Sequence, residues 1–180
     1  MPKNLTHLDV ANSSGVEDKF FHELSCSNIT SQLKVLKLKD TSVTLSLEHY
    51  IHRFENLESL DIRLLRVEEF SFLKALPQLK KLKIFAGDFD FSEMVPKLES
   101  LTCNTIFPGF WKSANTPMLK RLVSLEISYV NENPTFLDLP EMNKLEKLFL
   151  GESDNTLVTF HLFSSLFSYP FWQSGFHLRK

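Results

Sequence analysis

The residues best suited to metal chemistry are two histidines, His49 and His52, with Glu48 beside them. Residues three apart lie on one side of a helix, so the two imidazoles and the carboxylate could approach one cation. A zinc site needs three or four protein ligands, and no further histidine or cysteine follows at ligand spacing. We therefore interpret both histidines as polar residues beside the apolar stripe of a helix, and we predict no metal site.

Nucleophilic and phosphate-binding motifs are also missing from the sequence. No Ser or Cys stands in a Gly-x-Ser-x-Gly motif, and with only five glycines the chain has no phosphate-cradling loop. Cys26 and Cys103 lack a partner at metal-ligand or redox spacing, so we expect free thiols. The sequence thus predicts no catalytic residues and no cofactor, and it does not indicate an enzyme.

Positive charge is the remaining feature with chemical meaning. Over the whole chain 20 Lys and Arg stand against 22 Asp and Glu, so no global field attracts nucleic acid or an anionic membrane. A local basic cluster is nevertheless present, and it consists of Lys34, Lys37, Lys39, Arg63, Lys80, Lys81 and Lys83, with Phe85 next to it. Such a cluster could bind an acidic or phosphorylated segment of another protein.

The elements that would position these residues follow from a repeat. The pattern Leu-x-x-Leu-x-apolar occurs seven times, beginning at Leu5, Leu33, Leu57, Leu79, Leu98, Leu122 and Leu145. The first leucines of successive copies are 28, 24, 22, 19, 24 and 23 residues apart. Because its last part alternates apolar and polar residues, each copy predicts a short strand with one buried face.

The segments between the strands must cross back before the next parallel strand can pair. Apolar residues at helical spacing predict helices over 16–24, 44–55 and 67–76. Residues 105–118 contain Pro108, Gly109 and Pro117, so we predict an irregular segment there. The predicted fold class is therefore α/β, a solenoid with a parallel sheet of seven or eight strands on its concave face and mixed helices and loops outside.

Over about residues 5–155 the chain resembles the leucine-rich-repeat superfamily, nearest to the irregular intracellular repeats of F-box and ribonuclease-inhibitor-like proteins. The resemblance implies a curved solenoid that binds other proteins, as a scaffold or as a substrate-recognition adaptor such as that of a ubiquitin ligase. It also implies that ligase subunits are among the partners. The chain departs from the family where an Asn or Cys usually satisfies backbone groups after each strand, since Ser13 and Thr41 occupy that position in the first two copies.

The charges on the predicted concave face allow two interpretations. After the first leucine, copies two to four carry Lys34, Glu58 and Lys80; between their last two apolar residues they carry Lys37, Asp61 and Lys83. Neighbouring strands lie about 4.8 Å apart, so these charges could form a ladder of ion pairs that satisfies itself. Alternatively the surplus of cations forms a surface for an acidic or phosphorylated partner. Nucleic acid is disfavoured because the strands lack aromatic residues that stack on bases.

The two ends of the chain bear on its location. Met1 to Val10 lacks the apolar core of a signal peptide, which predicts a cytoplasmic or nuclear protein. Three sequons, at Asn4, Asn12 and Asn28, would instead favour an extracellular or surface-attached recognition protein. We assign residues 1–155 to the solenoid and the aromatic-rich residues 156–180 to a terminal strand and cap, with a partner or membrane-surface contact and a tail anchor as alternatives. A membrane span is disfavoured because the apolar runs within residues 156–180 are short.

Overall fold

The structure, a computed structural model, describes residues 4–63, 70–85, 94–104, 119–129 and 144–152. Seven strands form one sheet in which every strand is parallel to the next and the spatial order equals the chain order. The strands are β1 (His7–Asp9), β2 (Val35–Lys37), β3 (Ser59–Asp61), β4 (Lys81–Ile84), β5 (Ser100–Cys103), β6 (Ser124–Tyr129) and β7 (Lys147–Glu152). Each strand lies in one predicted copy of the repeat, so the predicted parallel solenoid is confirmed.

The described crossover elements are mainly α-helical in the first two copies and 3₁₀-helical in the later ones. The first copies, 28 and 24 residues long, contain the helices α1 (Asp18–Ser25) and α2 (Leu45–Tyr50), and a 3₁₀ turn (Ile51–Arg53) continues α2. The third copy is 22 residues long and has a 3₁₀ helix (Ser71–Ala75), and a further one (Leu119–Arg121) precedes β6. A 3₁₀ helix rises about 2.0 Å per residue against 1.5 Å in an α-helix, so fewer residues span the same distance.

The predicted helices are thus correct in position, but only the first is α-helical over most of its predicted length. Residues 44–55 form α2 and its 3₁₀ turn, and the described part of 67–76 is 3₁₀ helix alone. Pro77 follows that helix and cannot donate a backbone hydrogen bond to extend it. The predicted irregular segment 105–118 and the predicted terminal strand and cap at 156–180 lie outside the described residues.

The core is a column of leucines that the strand register brings together. Leu36, Leu60, Leu82, Leu101 and Leu125 are register neighbours on successive strands, and none exposes more than 1% of its surface. The first leucines of the copies form a second buried column, which includes Leu33, Leu57, Leu79, Leu98 and Leu122. Apolar residues of the crossovers, such as the stacked pair Phe21 and Phe54 with ring centroids 5.6 Å apart, close the core from the other side.

Backbone hydrogen bonds fix the register where each strand begins. The amides of Lys34 and Val35 both donate to the carbonyl of Thr6, at 2.8 and 3.0 Å. The same double acceptance recurs at the equivalent carbonyl of each following copy, through Val123. A one-residue slip would break both bonds and would turn the leucines to solvent, so the register is strongly specified.

The turns that leave β1 and β2 repeat the same backbone geometry. Asn12 and Asp40 are 28 residues apart and have φ angles of 61° and 56°. Among residues with a side chain, Asn and Asp adopt this left-handed conformation most readily. The Asn12 amide donates to the carbonyl of Lys39, and the Asp40 amide donates to the carbonyl of Arg63. The turn residues therefore bend the chain out of the sheet while they stay bonded to the next copy.

The first copy is buried less completely than the others. Leu5, Leu8 and Val10 are only partly buried, whereas their equivalents in the second copy, such as Leu36, are fully buried. Within the described residues β1 has a single strand neighbour, β2. Burial along the solenoid therefore begins with a half-covered copy and becomes complete at the second.

Candidate partner-binding face

The sheet has an open face, opposite to the buried leucines, that corresponds to the predicted concave face. Two rows of side chains cross it, one residue before and one residue after the leucine column. The first row contains His7, Val35, Ser59, Lys81, Ser100, Ser124 and Lys147. The second row contains Asp9, Lys37, Asp61, Lys83, Thr102, Glu126 and Phe149.

Three of the predicted site lysines are engaged in ion pairs. Glu58 lies between Lys34 and Lys80, with carboxylate to ammonium distances of 3.0 and 3.1 Å. Hydrogen bonds from these two ammonium groups hold the pKa of Glu58 below its ordinary value. Lys37 bonds to Asp9 at 2.7 Å, and this bond lowers the pKa of Asp9 and raises that of Lys37. For these residues the ion-pair interpretation is correct.

Arg63 is engaged within its own copy. Its Nε donates to Oδ1 of Asp61 at 3.0 Å, and its Nη2 donates to Oδ2 at 2.8 Å. This bidentate contact raises the pKa of Arg63, and Asp61 is only 6% exposed. The alternating charges had suggested that Asp61 would pair with Lys37 or Lys83 across the strands. The planar guanidinium matches a carboxylate better than a single ammonium group does, so Asp61 pairs with Arg63.

The consequence is an unneutralised strip on β4. Lys81 and Lys83 are exposed, and neither makes an ion pair with any residue that the structure describes. Phe85 lies two residues after Lys83, in step with the two lysines, and exposes 47% of its surface. Lys39, which is half-buried, also makes no ion pair within the described residues. The basic cluster of the sequence is therefore divided into a paired part (Lys34, Lys37, Arg63 and Lys80) and an unpaired part. We call the unpaired lysines of β4, together with the phenylalanine that follows them, the β4 strip (Lys81, Lys83 and Phe85).

Sequence reasoning missed two features of the open face. It compared the charged positions of each copy but did not follow the first row, in which Ser59, Ser100 and Ser124 are half-exposed and form no hydrogen bond among the described residues. It also gave no weight to Phe149, which exposes 45% of its surface at the β7 end of the second row. Following the residue before each central leucine would have found the serines.

The other chemical candidates remain separate from this face. His49 and His52 are both exposed on the α2 segment, and within the described residues no three His, Cys, Asp or Glu side chains are grouped as a metal would require. Cys103 is buried in β5, where desolvation raises the pKa of its thiol to about 12. In the part of the chain that the structure describes, no helix has the length and apolar character to cross a membrane.

No family model and no curated protein matches the chain. Solved structures do match. One is internalin C2 from Listeria monocytogenes, with a TM-score of 0.54 and 15% identity over 86% of this chain and 74% of that one. Another is the functional domain of InlJ from the same organism, with a TM-score of 0.51 and 19% identity over 87% of this chain and 37% of that one. Both neighbours are leucine-rich-repeat proteins.

The fold is a leucine-rich-repeat solenoid. At these identities the likeness concerns the fold alone. The InlJ domain includes a cysteine ladder, whereas the present solenoid contains only two cysteines. In the second repeat of the present chain, the hydroxyl of Thr41 donates a hydrogen bond to the carbonyl of Leu38 at 2.8 Å. Thr41 thus satisfies a backbone group at the position where the superfamily usually places Asn or Cys.

Proposed function

We propose that this leucine-rich-repeat solenoid is a protein-binding scaffold whose open face recognises an acidic or phosphorylated segment of a partner at the β4 strip. The observation that carries the proposal is the strip itself. The ammonium groups of Lys81 and Lys83 are exposed on one strand, and neither has an ion-pair partner among the described residues. A half-exposed phenylalanine, Phe85, follows them. An anionic partner would supply the missing charge, and the aromatic ring offers an apolar anchor.

The paired cations have a secondary role in this proposal. Lys34, Lys37, Lys80 and Arg63 surround the strip, but each would have to leave an intramolecular carboxylate before it could bind a partner. Such an exchange gains little, because one ion pair replaces another. Lys39 makes no such pair within the described residues and joins the unpaired cations. The paired residues therefore contribute to the long-range field that steers an anionic partner, and Lys81 and Lys83 form its direct contacts.

The test is affinity capture of the full-length chain from its native cells, with two charge-matched double variants. K81E/K83E reverses the β4 strip, and K19E/K74E makes the same charge change at exposed lysines of α1 and the 3₁₀ helix. We expect a protein that wild type and K19E/K74E retain and that K81E/K83E loses, and the purified protein should show the same order of affinities. Equal retention by all three forms would refute the assignment to β4.

The finer proposal is that the scaffold is the substrate-recognition arm of a ubiquitin ligase in the cytoplasm or nucleus. Its support is the resemblance to irregular intracellular repeats. The same capture experiment tests it, because an adaptor should retain ligase subunits in every variant and should lose only the client in K81E/K83E. Capture of a client without any ligase subunit would contradict the adaptor role and would leave the scaffold role unaffected.

An extracellular or surface-attached recognition protein of the same fold is a second candidate. The observation in its favour is that the asparagines of the three sequons, Asn4, Asn12 and Asn28, are all exposed. Expression behind a secretion signal in a eukaryotic host, followed by glycosidase treatment, tests it. A mobility shift that the three Asn→Gln changes remove would support this candidate. An unmodified secreted chain would argue against it.

A further inference from the structure

We propose that the first row binds a phosphomonoester, that of a phosphorylated Ser or Thr in the partner, at Lys81 between Ser59 and Ser100. This inference rests on the proposed function and makes its partner class specific. The register sets Lys81 directly between the two serines, one on β3 and one on β5. Strands are about 4.8 Å apart, so one phosphoryl group can reach donors on all three.

The donors at this point are free to bind. Neither serine hydroxyl forms a hydrogen bond within the described residues, both side chains are half-exposed, and Lys81 is exposed. Because serine is short, it leaves the lysine accessible from both sides. Lys83 lies two residues further along β4 on the same face and supplies a second ammonium group. The site therefore offers two hydroxyl donors and two positive charges.

The two rows place no unpaired carboxylate between the serines; of the two glutamates that directly precede the serines, Glu58 is bound to Lys34 and Lys80, and Glu99 is exposed. The first row contains no Asp or Glu over its seven positions. In the second row Asp61 is bound to Arg63, and Glu126 accepts a hydrogen bond from Thr102 at 3.3 Å. Glu126 lies on β6, two strands from Lys83. An anion bound on the β3 side of Ser100 is therefore kept away from the Glu126 carboxylate. That position is the one between the two serines.

The number of donors favours phosphate over carboxylate. A phosphorylated side chain carries about −1.5 to −2 charges at pH 7 and three acceptor oxygens, whereas a carboxylate carries one charge and two coplanar oxygens. One ammonium group can neutralise a carboxylate, as Lys37 does for Asp9. Two ammonium groups with hydroxyl donors on both sides exceed what a carboxylate can use, and they match a tetrahedral dianion.

The second exposed aromatic predicts a further feature of the ligand. Phe149 lies in the second row three strands from Lys83. Three strand spacings amount to about 14 Å, and an extended peptide advances about 3.3 Å per residue. A peptide that crosses the strands would therefore place a residue about four positions from the phosphorylated one against Phe149. We expect an apolar residue there.

The test uses the full-length chain and three degenerate nonapeptide libraries, in which the central residue is fixed as phosphoserine, glutamate or serine. We expect at least tenfold stronger binding of the phosphoserine library than of the glutamate library, with an apolar preference about four positions away. S59A/S100A removes both hydroxyls without a change of charge and should reduce the phosphoserine preference at least fivefold. S59T/S100T keeps the hydroxyls and should retain the preference, as should the control S14A/S71A, which changes exposed serines away from the row.

The outcomes separate this inference from the proposed function. Equal binding of the phosphoserine and glutamate libraries, both lost in K81E/K83E, would overturn phosphate recognition and leave the acidic-segment scaffold standing. An unchanged preference in a folded S59A/S100A variant would overturn the role of the serines. If no library binds and K81E/K83E captures the same proteins as wild type, both proposals fail.

Discussion

The assignment of the leucine column can be tested by truncating one central member. Leu60 of β3 lies between Leu36 and Leu82 in the register, and all three are at most 1% exposed. Replacing Leu60 by Ala removes three buried carbon atoms and leaves a cavity that packed strands on both sides prevent from collapsing. Leu→Ala changes at such sites cost about 2 to 5 kcal/mol, and we expect about 3 kcal/mol here.

The matched comparison is Leu8→Ala. Leu8 occupies the same position of the first copy, but it is only half-buried and has a strand neighbour on one side within the described residues. We expect it to cost about 1 kcal/mol, since it removes less buried surface and leaves no enclosed cavity. Leu60→Met conserves volume and should cost less than about 1.5 kcal/mol.

Urea unfolding followed by far-ultraviolet circular dichroism measures these differences. The free energies are compared only between variants with the same slope, because a solenoid can lose repeats stepwise. The reasoning fails if Leu60→Ala unfolds at the wild-type midpoint, or if Leu8→Ala proves the more damaging change. Either result would mean that the two leucines do not occupy equivalent places in one column.

Three further predictions concern charge, a hydrogen bond between neighbouring copies and thiol chemistry. The fold lowers the pKa of Glu58 from its ordinary 4.5, so ionised Glu58 stabilises the fold fully above that pH, and this stabilisation is lost as the pH falls through the lower folded pKa. In acid titrations the free energy of unfolding of Glu58→Gln should therefore fall less steeply below about pH 4.5 than that of wild type. Asp18 accepts hydrogen bonds from the amide and hydroxyl of Thr44, both at 2.7 Å, so Asp18→Ala should lower stability by about 1 kcal/mol, with Asp18→Asn intermediate. A thiol reagent at pH 7 should label exposed Cys26 in the native protein and label buried Cys103 only after unfolding; equal native labelling would contradict the assigned burial.

The fold was predictable because leucines report the strand register directly. A residue that must be apolar in every strand, such as Leu60 or Leu82, recurs periodically in the sequence, and each of the seven described strands lies in one copy of that pattern. The crossovers were less predictable, since the same apolar spacing of three fits an α-helix and a 3₁₀ helix. Repeat length does not decide between the two either, because the second and fifth copies are both 24 residues long, yet the second contains an α-helix and the fifth a 3₁₀ helix.

The open face was predictable in outline but not in its pairing. Alternating signs at Lys34, Glu58 and Lys80 predict ion pairs, and these pairs form. The contact between Asp61 and Arg63 was missed because it joins residues of one copy, whereas the argument from strand spacing compared neighbouring copies. That single exchange of partners leaves Lys83 unpaired among the described residues.

The doubled hydrogen bond at the start of each strand has a consequence for how this sequence can change. The bond joins backbone atoms, so any residue at position 6, and any residue other than proline at positions 34 and 58, preserves it. Register is then held by the backbone and the leucines together, while the residues of the open face contribute little to it. We therefore expect that substitutions can accumulate on the open face without loss of the solenoid. If the open face binds a partner as proposed, recognition and folding are encoded by largely separate sets of positions, and each set can change without the other.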